Sequence, residues 1–206
     1  MSDCIGIIMA AYNTERWIGE AVESILHQTY TDWILMIVDD GSTDDTLRIA
    51  LDYSDADRRI EVLSQPHSGC PVAKARAVEL LLADPEVEYI AIMDADDVCV
   101  HDRLQLELDY LRHETDVDIV RTSYDWVDEH GKFLKHMHPR PANATAMCQR
   151  RWYEQIKFDN TEWWETDGRW MKEAERRGAT FGTIECELYS QRRHPQQISL
   201  RKRRQA

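Results

Sequence analysis

Tyr89-Ile90-Ala91-Ile92-Met93-Asp94-Ala95-Asp96-Asp97 carries an apolar run straight into three carboxylates. The run has the length of a buried strand, and the charges begin where that strand would end. Packed anions repel one another and resist desolvation, so such a cluster calls for a cation or a dense set of hydrogen-bond donors. A divalent metal holding phosphates meets that demand.

Outward from this stretch, short apolar runs alternate with helix-period segments through the first 125 residues. That rhythm predicts a largely parallel sheet with helices on its faces. Cys4 to Ala10 reads as the first strand, and Ile18, Ala21, Val22, Ile25 and Leu26 recur at helical spacing after it. Trp33 to Val38 is the second strand. Ser42 is placed to cap the next helix, with Asp45 in a capping-box-like position. Ile60 to Leu63 is a short third strand, Val72 to Ala83 a helix stopped by Asp84-Pro85, and His101 to His113 a further helix.

Beyond Ile119-Val120 the rhythm breaks. Tyr124 to Val127 and Lys132 to Leu134 flank Glu129-His130-Gly131, which resembles a hairpin. His136 to Ala146, with two prolines, reads as a flexible loop, and Trp170, Met171 and Ala174 mark a late helix. His136-x-His138 has a chelating spacing, yet no third ligand is evident, so it reads as exposed loop. Trp152, Trp163, Trp164 and Trp170 are either core or sugar-stacking surfaces.

Composition narrows the class. At 206 residues and 43% hydrophobic content, the chain supplies one large domain with its own core. A net charge of -13 argues against a broad nucleic-acid surface, and Arg201-Lys202-Arg203-Arg204 reads as a solvated basic tail, with docking to an anionic membrane face or closure over bound phosphates the alternative. Five scattered cysteines without a CxxC pair fit reduced thiols in the cytoplasm. No basic-plus-apolar signal precedes Asp3, and no run approaches the roughly 18 apolar residues of a membrane span.

A second acidic cluster, Asp39-Asp40-Gly41-Ser42-Thr43-Asp44, follows the second strand. Both clusters would lie at the carboxyl edge of the sheet, where α/β folds bind ligands. Carboxylates there suit Mg²⁺ or Mn²⁺ bridging to diphosphate oxygens. A helix-capping turn explains Asp39 to Asp44 as well. An EF-hand calcium loop starting at Asp94 fails, because Cys99 and Gln105 replace its glycine and its glutamate.

Ala11-Tyr12-Asn13, Asp39 to Asp44, and Asp94-Ala95-Asp96-Asp97, in this order and spacing, resemble the inverting family-2 glycosyltransferases with a GT-A fold. Thr166-Asp167, Gly178, Leu188-Tyr189, Arg192-Arg193-His194 and Ile198-Ser199 extend the likeness to nearly the whole chain. The resemblance implies an α/β, Rossmann-like, mostly parallel sheet with a smaller mixed C-terminal acceptor region. It divides the chain into a nucleotide-sugar part over about 1–123, an acceptor and catalytic-base part over about 124–199, and the tail.

By the same resemblance, Asp39 and Asp40 with Ala11, Tyr12 and Asn13 would line the nucleotide pocket, the donor being commonly a UDP-sugar. Asp94 and Ala95 would sit beside the ribose, with Asp96 or Asp97 on Mn²⁺ or Mg²⁺. Asp167 would be the catalytic base acting on a carbohydrate or glycolipid acceptor, although Thr166 replaces the family's glutamate. Arg192 and His194 match a segment that folds over the diphosphate. Ser68 to Ala77 resembles the family's glycine-to-arginine stretch with two extra residues, which assigns Arg76 to the nucleotide side. Two other classes compete. A sugar-phosphate nucleotidyltransferase would need a glycine-rich basic loop that Ala10 to Arg16 lacks, and a silent binding module would keep the acidic sites without turnover.

Overall fold

A computed structural model describes residues 3–138, 141–158 and 166–197. Pro139, Trp163, Trp164, Glu165, Ile198, Ser199 and the basic cluster Arg201 to Arg204 lie outside the described residues. The first half alternates β1 (Cys4–Ala11), α1 (Ile18–Leu26), β2 (Trp33–Asp39), α2 (Thr46–Ala56), β3 (Ile60–Ser64), α3 (Cys70–Ala83) and β4 (Val87–Ile92). There follow β5 (Val98–Cys99), α4 (Arg103–His113), β6 (Ile119–Asp128), β7 (Phe133–His136), β8 (Met147–Gln149), α5 (Arg151–Gln155), α6 (Thr166–Arg176) and β9 (Phe181–Arg193).

Among the described residues nine strands form one sheet in the order β3-β2-β1-β4-β8-β6-β9-β5, with β7 paired to β6. The β3-β2-β1-β4 part is parallel throughout. The second part is mixed: β8 runs antiparallel to β4 and β6, whereas β9 runs parallel to β6. This is the α/β sheet that the sequence rhythm predicts, with its irregular half where the rhythm breaks.

Alternation along β1 sends Ile5, Ile7 and Met9 to one core, and Cys4 and Ile8 to the other. The first core is closed by Ile18, Ala21, Val22 and Ile25 of α1 and by Leu104, Leu108 and Leu111 of α4. The second is closed by Ala73, Ala77 and Leu81 of α3 and by Trp170, Met171 and Ala174 of α6. Burying each of the three α4 leucines contributes about 1.5–3 kcal/mol. Trp152 and Trp170 belong to this second core, where Trp170 stacks on Tyr153 at 4.4 Å and donates to the Ile156 carbonyl. Packing is therefore the role of these two tryptophans.

Two local expectations change. The helix after the first acidic cluster begins at Thr46, and Ser42 does not cap it. Asp44 intervenes, its Oδ1 accepting from the Thr46 amide at 3.0 Å and the Thr46 hydroxyl at 2.6 Å, while the Ser42 hydroxyl accepts from the Asn13 amide. The segment expected to be a flexible loop contains a 3-10 turn, Asn143–Thr145, whose Thr145 is fully buried. Its hydroxyl accepts from the Thr122 amide and donates to the Ala142 carbonyl, which ties the turn to β6. The 13-residue β9 has no clean apolar alternation, because irregular register against β6 breaks its period.

Candidate active site

The carboxyl ends of β1, β2 and β4 open on one side of the sheet, and the loops there are clasped together. Asn13, held at a positive φ of 53°, accepts at Oδ1 from the Thr43 amide at 2.8 Å, and the Thr46 hydroxyl accepts from the Thr14 amide. Gly41 also has a positive φ, and a Cβ there would meet the His67 backbone nitrogen at 2.7 Å. Only glycine fits that turn.

Beneath it, Asp39 and Asp40 are almost fully buried. The Asp39 carboxylate accepts from the Ser42 amide and the Ser64 hydroxyl. Asp40 accepts from the Gln65 side chain, the Ser68 amide and the Gly69 amide, and pairs with His67 at 2.8 Å. These donors take the place of water and keep two adjacent anions viable inside the fold.

A cavity of about 860 Å³ spans this edge from Tyr12 and Asp40 across Asp94, Ala95 and Asp96 to Asp167, Lys172 and His194. The Lys74 side chain is 3% exposed, and its ammonium sits 3.2 Å from Asp94 Oδ1, 2.8 Å from Asp167 Oδ1 and 2.9 Å from Asp167 Oδ2. A single cation thus bridges β4's acidic end to the first turn of α6. The surrounding burial opposes the lysine's charge, but the two carboxylates overcome it and hold Lys74 well above its ordinary range. Burial pushes the Asp94 carboxyl up to about 6 against the pull of Lys74.

Asp94, Asp96 and Asp97 present ligand oxygens within 4.8 Å of one another. Asp97 lies under the cavity wall, where its Oδ1 accepts from the Arg192 amide at 2.7 Å. Desolvation, with Asp96 and Asp94 adding repulsion, holds its carboxyl well above the usual range. Asp96 faces the cavity, and His194 Nε2 lies 2.8 Å from its Oδ2. The His194 ring packs at a tilt against Trp17, centroids 3.9 Å apart, and its buried Nδ1 has no partner among the described residues. Three clustered carboxylates suit a hard divalent cation such as Mn²⁺ or Mg²⁺.

The structure thus brings Ala11, Tyr12, Asn13, Asp40, Asp94, Ala95, Asp96, Asp167 and His194 to one cavity and leaves Asp39, Asp97, Arg76 and Arg192 outside its lining. Arg76 sits on the outer face of α3, paired with Glu79. Arg192 is 1% exposed, and its guanidinium is spent on the Asp96 carbonyl, the Glu129 carbonyl and Glu20. It braces the acidic turn from behind.

Lys74, Trp17 and His67, the last stacked on Tyr12 at 4.1 Å, were not singled out by the sequence. Lys74 did leave a signal. It interrupts the apolar stripe Ala73, Ala77, Val78, Leu81 on the buried side of α3, where an unpaired lysine is costly. Trp17 and His67 carry no such mark, because neither breaks a pattern.

Comparison with known proteins agrees with this layout. The family model for glycosyl transferase family 2 matches residues 6–167. The chain is 35% identical over 137 residues to the chondroitin synthase of Escherichia coli, covering 66% of this chain and 19% of that protein. Among solved structures it is similar to S. aureus TarS 1-349 in complex with UDP-GlcNAc, with a TM-score of 0.79 at 17% identity over 97% of this chain and 61% of that one. It is also similar to the mannosyltransferase PcManGT of Pyrobaculum calidifontis in complex with GDP-Man and Mn²⁺, with a TM-score of 0.73 at 18% identity over 97% and 60% of the two chains. The chain therefore spans about a fifth of the synthase and about three fifths of each solved chain.

Proposed function

Because the chain belongs to glycosyl transferase family 2, with a GT-A type α/β fold, we propose that it transfers a sugar from a nucleoside-diphosphate sugar to an acceptor hydroxyl with inversion at the anomeric carbon. The observation that carries this reading is the Asp94–Lys74–Asp167 bridge, which sets a candidate base beside the acidic turn in one cavity. Asp167 takes the proton from the acceptor hydroxyl. The freed oxygen attacks the anomeric carbon as the bond to the diphosphate oxygen breaks, and that electron pair leaves with the nucleoside diphosphate.

Residues at the acidic turn serve the leaving group. Asp96, with Asp94 and Asp97 within reach, would hold Mn²⁺ or Mg²⁺, which when bound neutralises charge on the departing diphosphate. Tyr12 and His67 offer ring faces for a nucleobase at the opposite end of the cavity. Lys74 keeps the two carboxylates in place while neutralising their repulsion. A UDP-sugar donor is supported by the UDP-GlcNAc complex of the TarS neighbour, while the GDP-Man complex makes a guanosine donor the alternative.

A thermal-shift series with UDP, GDP and the other nucleoside diphosphates, each with Mn²⁺ or with EDTA, tests the proposal. At 100 times its Kd a ligand adds about 2.7 kcal/mol, or roughly 5–10 °C for a chain of this size. UDP is expected to give that rise only when Mn²⁺ is present. Indifference to every nucleotide would remove the donor site from this cavity.

A further inference from the structure

Three neighbouring strands bring Asp125, His136 and Glu187 together on a surface apart from the acidic turn of β4, each offering a ligand atom within 4.8 Å of the others. We propose that this triad is a second metal site, for a divalent transition ion of the zinc class. The β6–β7 ladder sets Asp125 directly opposite His136, with His136 Nδ1 2.8 Å from Asp125 Oδ1. The Phe133 ring, 4.5 Å away, packs on the imidazole and steadies it.

Glu187 reaches the pair because β9 is irregular. Thr122 pairs with Ile184, but the next residue, Ser123, pairs with Glu187, so Glu185 and Cys186 bulge out of the ladder. A bulge re-aims the side chains beside it and marks functional sites more often than plain strand does. Two further observations point to a missing ligand. The half-buried Glu187 carboxylate makes no hydrogen bond or ion pair among the described residues, although a histidine stands within reach. Ser123, opposite Glu187 and two residues from Asp125, is fully buried with a hydroxyl that has no partner among the described residues.

The donor set gives the metal class. One imidazole nitrogen and two carboxylate oxygens match Zn²⁺ and Co²⁺, whereas Mg²⁺ and Ca²⁺ favour oxygen alone. His138, two residues along and suggestive in the sequence, turns instead toward Glu185 at 4.0 Å. The missing third ligand of the His136-x-His138 spacing therefore comes from other strands, which the sequence could not align. Tyr124 and Gln191 line the cavity, and Trp126 donates to Gln191 at 3.1 Å. An ion on Asp125 would brace that wall from the adjoining strand position.

Titration of the whole chain with Co²⁺, followed by visible absorption, and with Zn²⁺, followed by calorimetry, tests the site. In a chain carrying Asp94→Asn and Asp96→Asn, one equivalent is expected to bind, and His136→Asn or Glu187→Gln should weaken it by at least about tenfold. Because the double variant disturbs a buried bridge, His136→Asn is also made alone in the otherwise unchanged chain. There it should lower the Co²⁺ stoichiometry by one while leaving the response to UDP and Mn²⁺ intact, a result separable from failure of the donor site. Unchanged affinity in both triad variants, or binding weaker than about 1 mM, would reduce the triad to a surface ion pair.

Discussion

Asp167→Asn is expected to lower the transfer rate by about 10²–10⁴-fold, the usual contribution of a positioned base, while nucleotide affinity stays essentially unchanged. Asparagine fills the same volume and still faces the Lys74 ammonium, but it cannot take a proton from the acceptor. Lys74 retains Asp94 at 3.2 Å, so the site keeps one of its two ion pairs. Single-turnover transfer with the identified donor, set beside nucleotide titration on the same preparation, separates the two effects. Normal transfer would move the base elsewhere, with Glu165 the next candidate. Joint loss of binding and transfer would make Asp167 a structural partner of Lys74 rather than the base.

Lys74→Met should produce the largest change in stability. The ammonium is buried between two carboxylates, and removing one partner of a buried ion pair costs about 3–5 kcal/mol because the other charge is stranded. For a chain of this size that is a fall in melting temperature of roughly 6–20 °C. The pH dependence has a definite sign. The Asp94 carboxyl titrates at about 6 in the fold, above its ordinary value of 3.8, so the folded state binds more protons between those limits. Stability from this group accordingly falls as pH rises through that window. Without Lys74 the folded value climbs further and the window widens upward. Urea denaturation in EDTA should therefore show a larger deficit at pH 8 than at pH 5. A deficit below about 1 kcal/mol at both pH values, the level of an exposed pair, would contradict the buried bridge.

The parallel half of the fold was legible because burial on both faces gives β1, β2 and β4 continuous apolar runs, and α1 and α4 show clean stripes. The acidic ends of β2 and β4 were legible for the same reason, since charge at the end of a core strand is conspicuous. What lay beyond the sequence was set by tertiary contact. The 3-residue β8 is defined only by its partners β4 and β6, and the bulges of β9 hide its period. Arg192, assigned by resemblance to a segment over the diphosphate, is instead buried by β9 behind Asp96. Arg76 and Lys74 differ by two positions, hence by about half a helical turn. That difference decides which of them enters the cavity, and a motif matched with two extra residues chooses the wrong face.

The Asp44 turn shows how one pattern can serve two ends. Its side chain organises the start of α2 and ties Glu15 to the β2–α2 loop. Much of the first acidic cluster is therefore scaffold. The second cluster adds a buried cation: Asp94 and Asp96 face the cavity as Asp40 does, but Lys74 bridges Asp94 to Asp167.

In the proposed mechanism this cavity joins a metal-held diphosphate at Asp96 to the catalytic base Asp167. Crystals grown with UDP and Mn²⁺, with data collected at the manganese absorption edge, test it most directly. An anomalous peak is expected at coordination distance from the Asp96 carboxylate, with the diphosphate on the same ion and the nucleobase toward Tyr12. A manganese peak away from Asp94, Asp96 and Asp97, or UDP lodged outside this cavity, would contradict it.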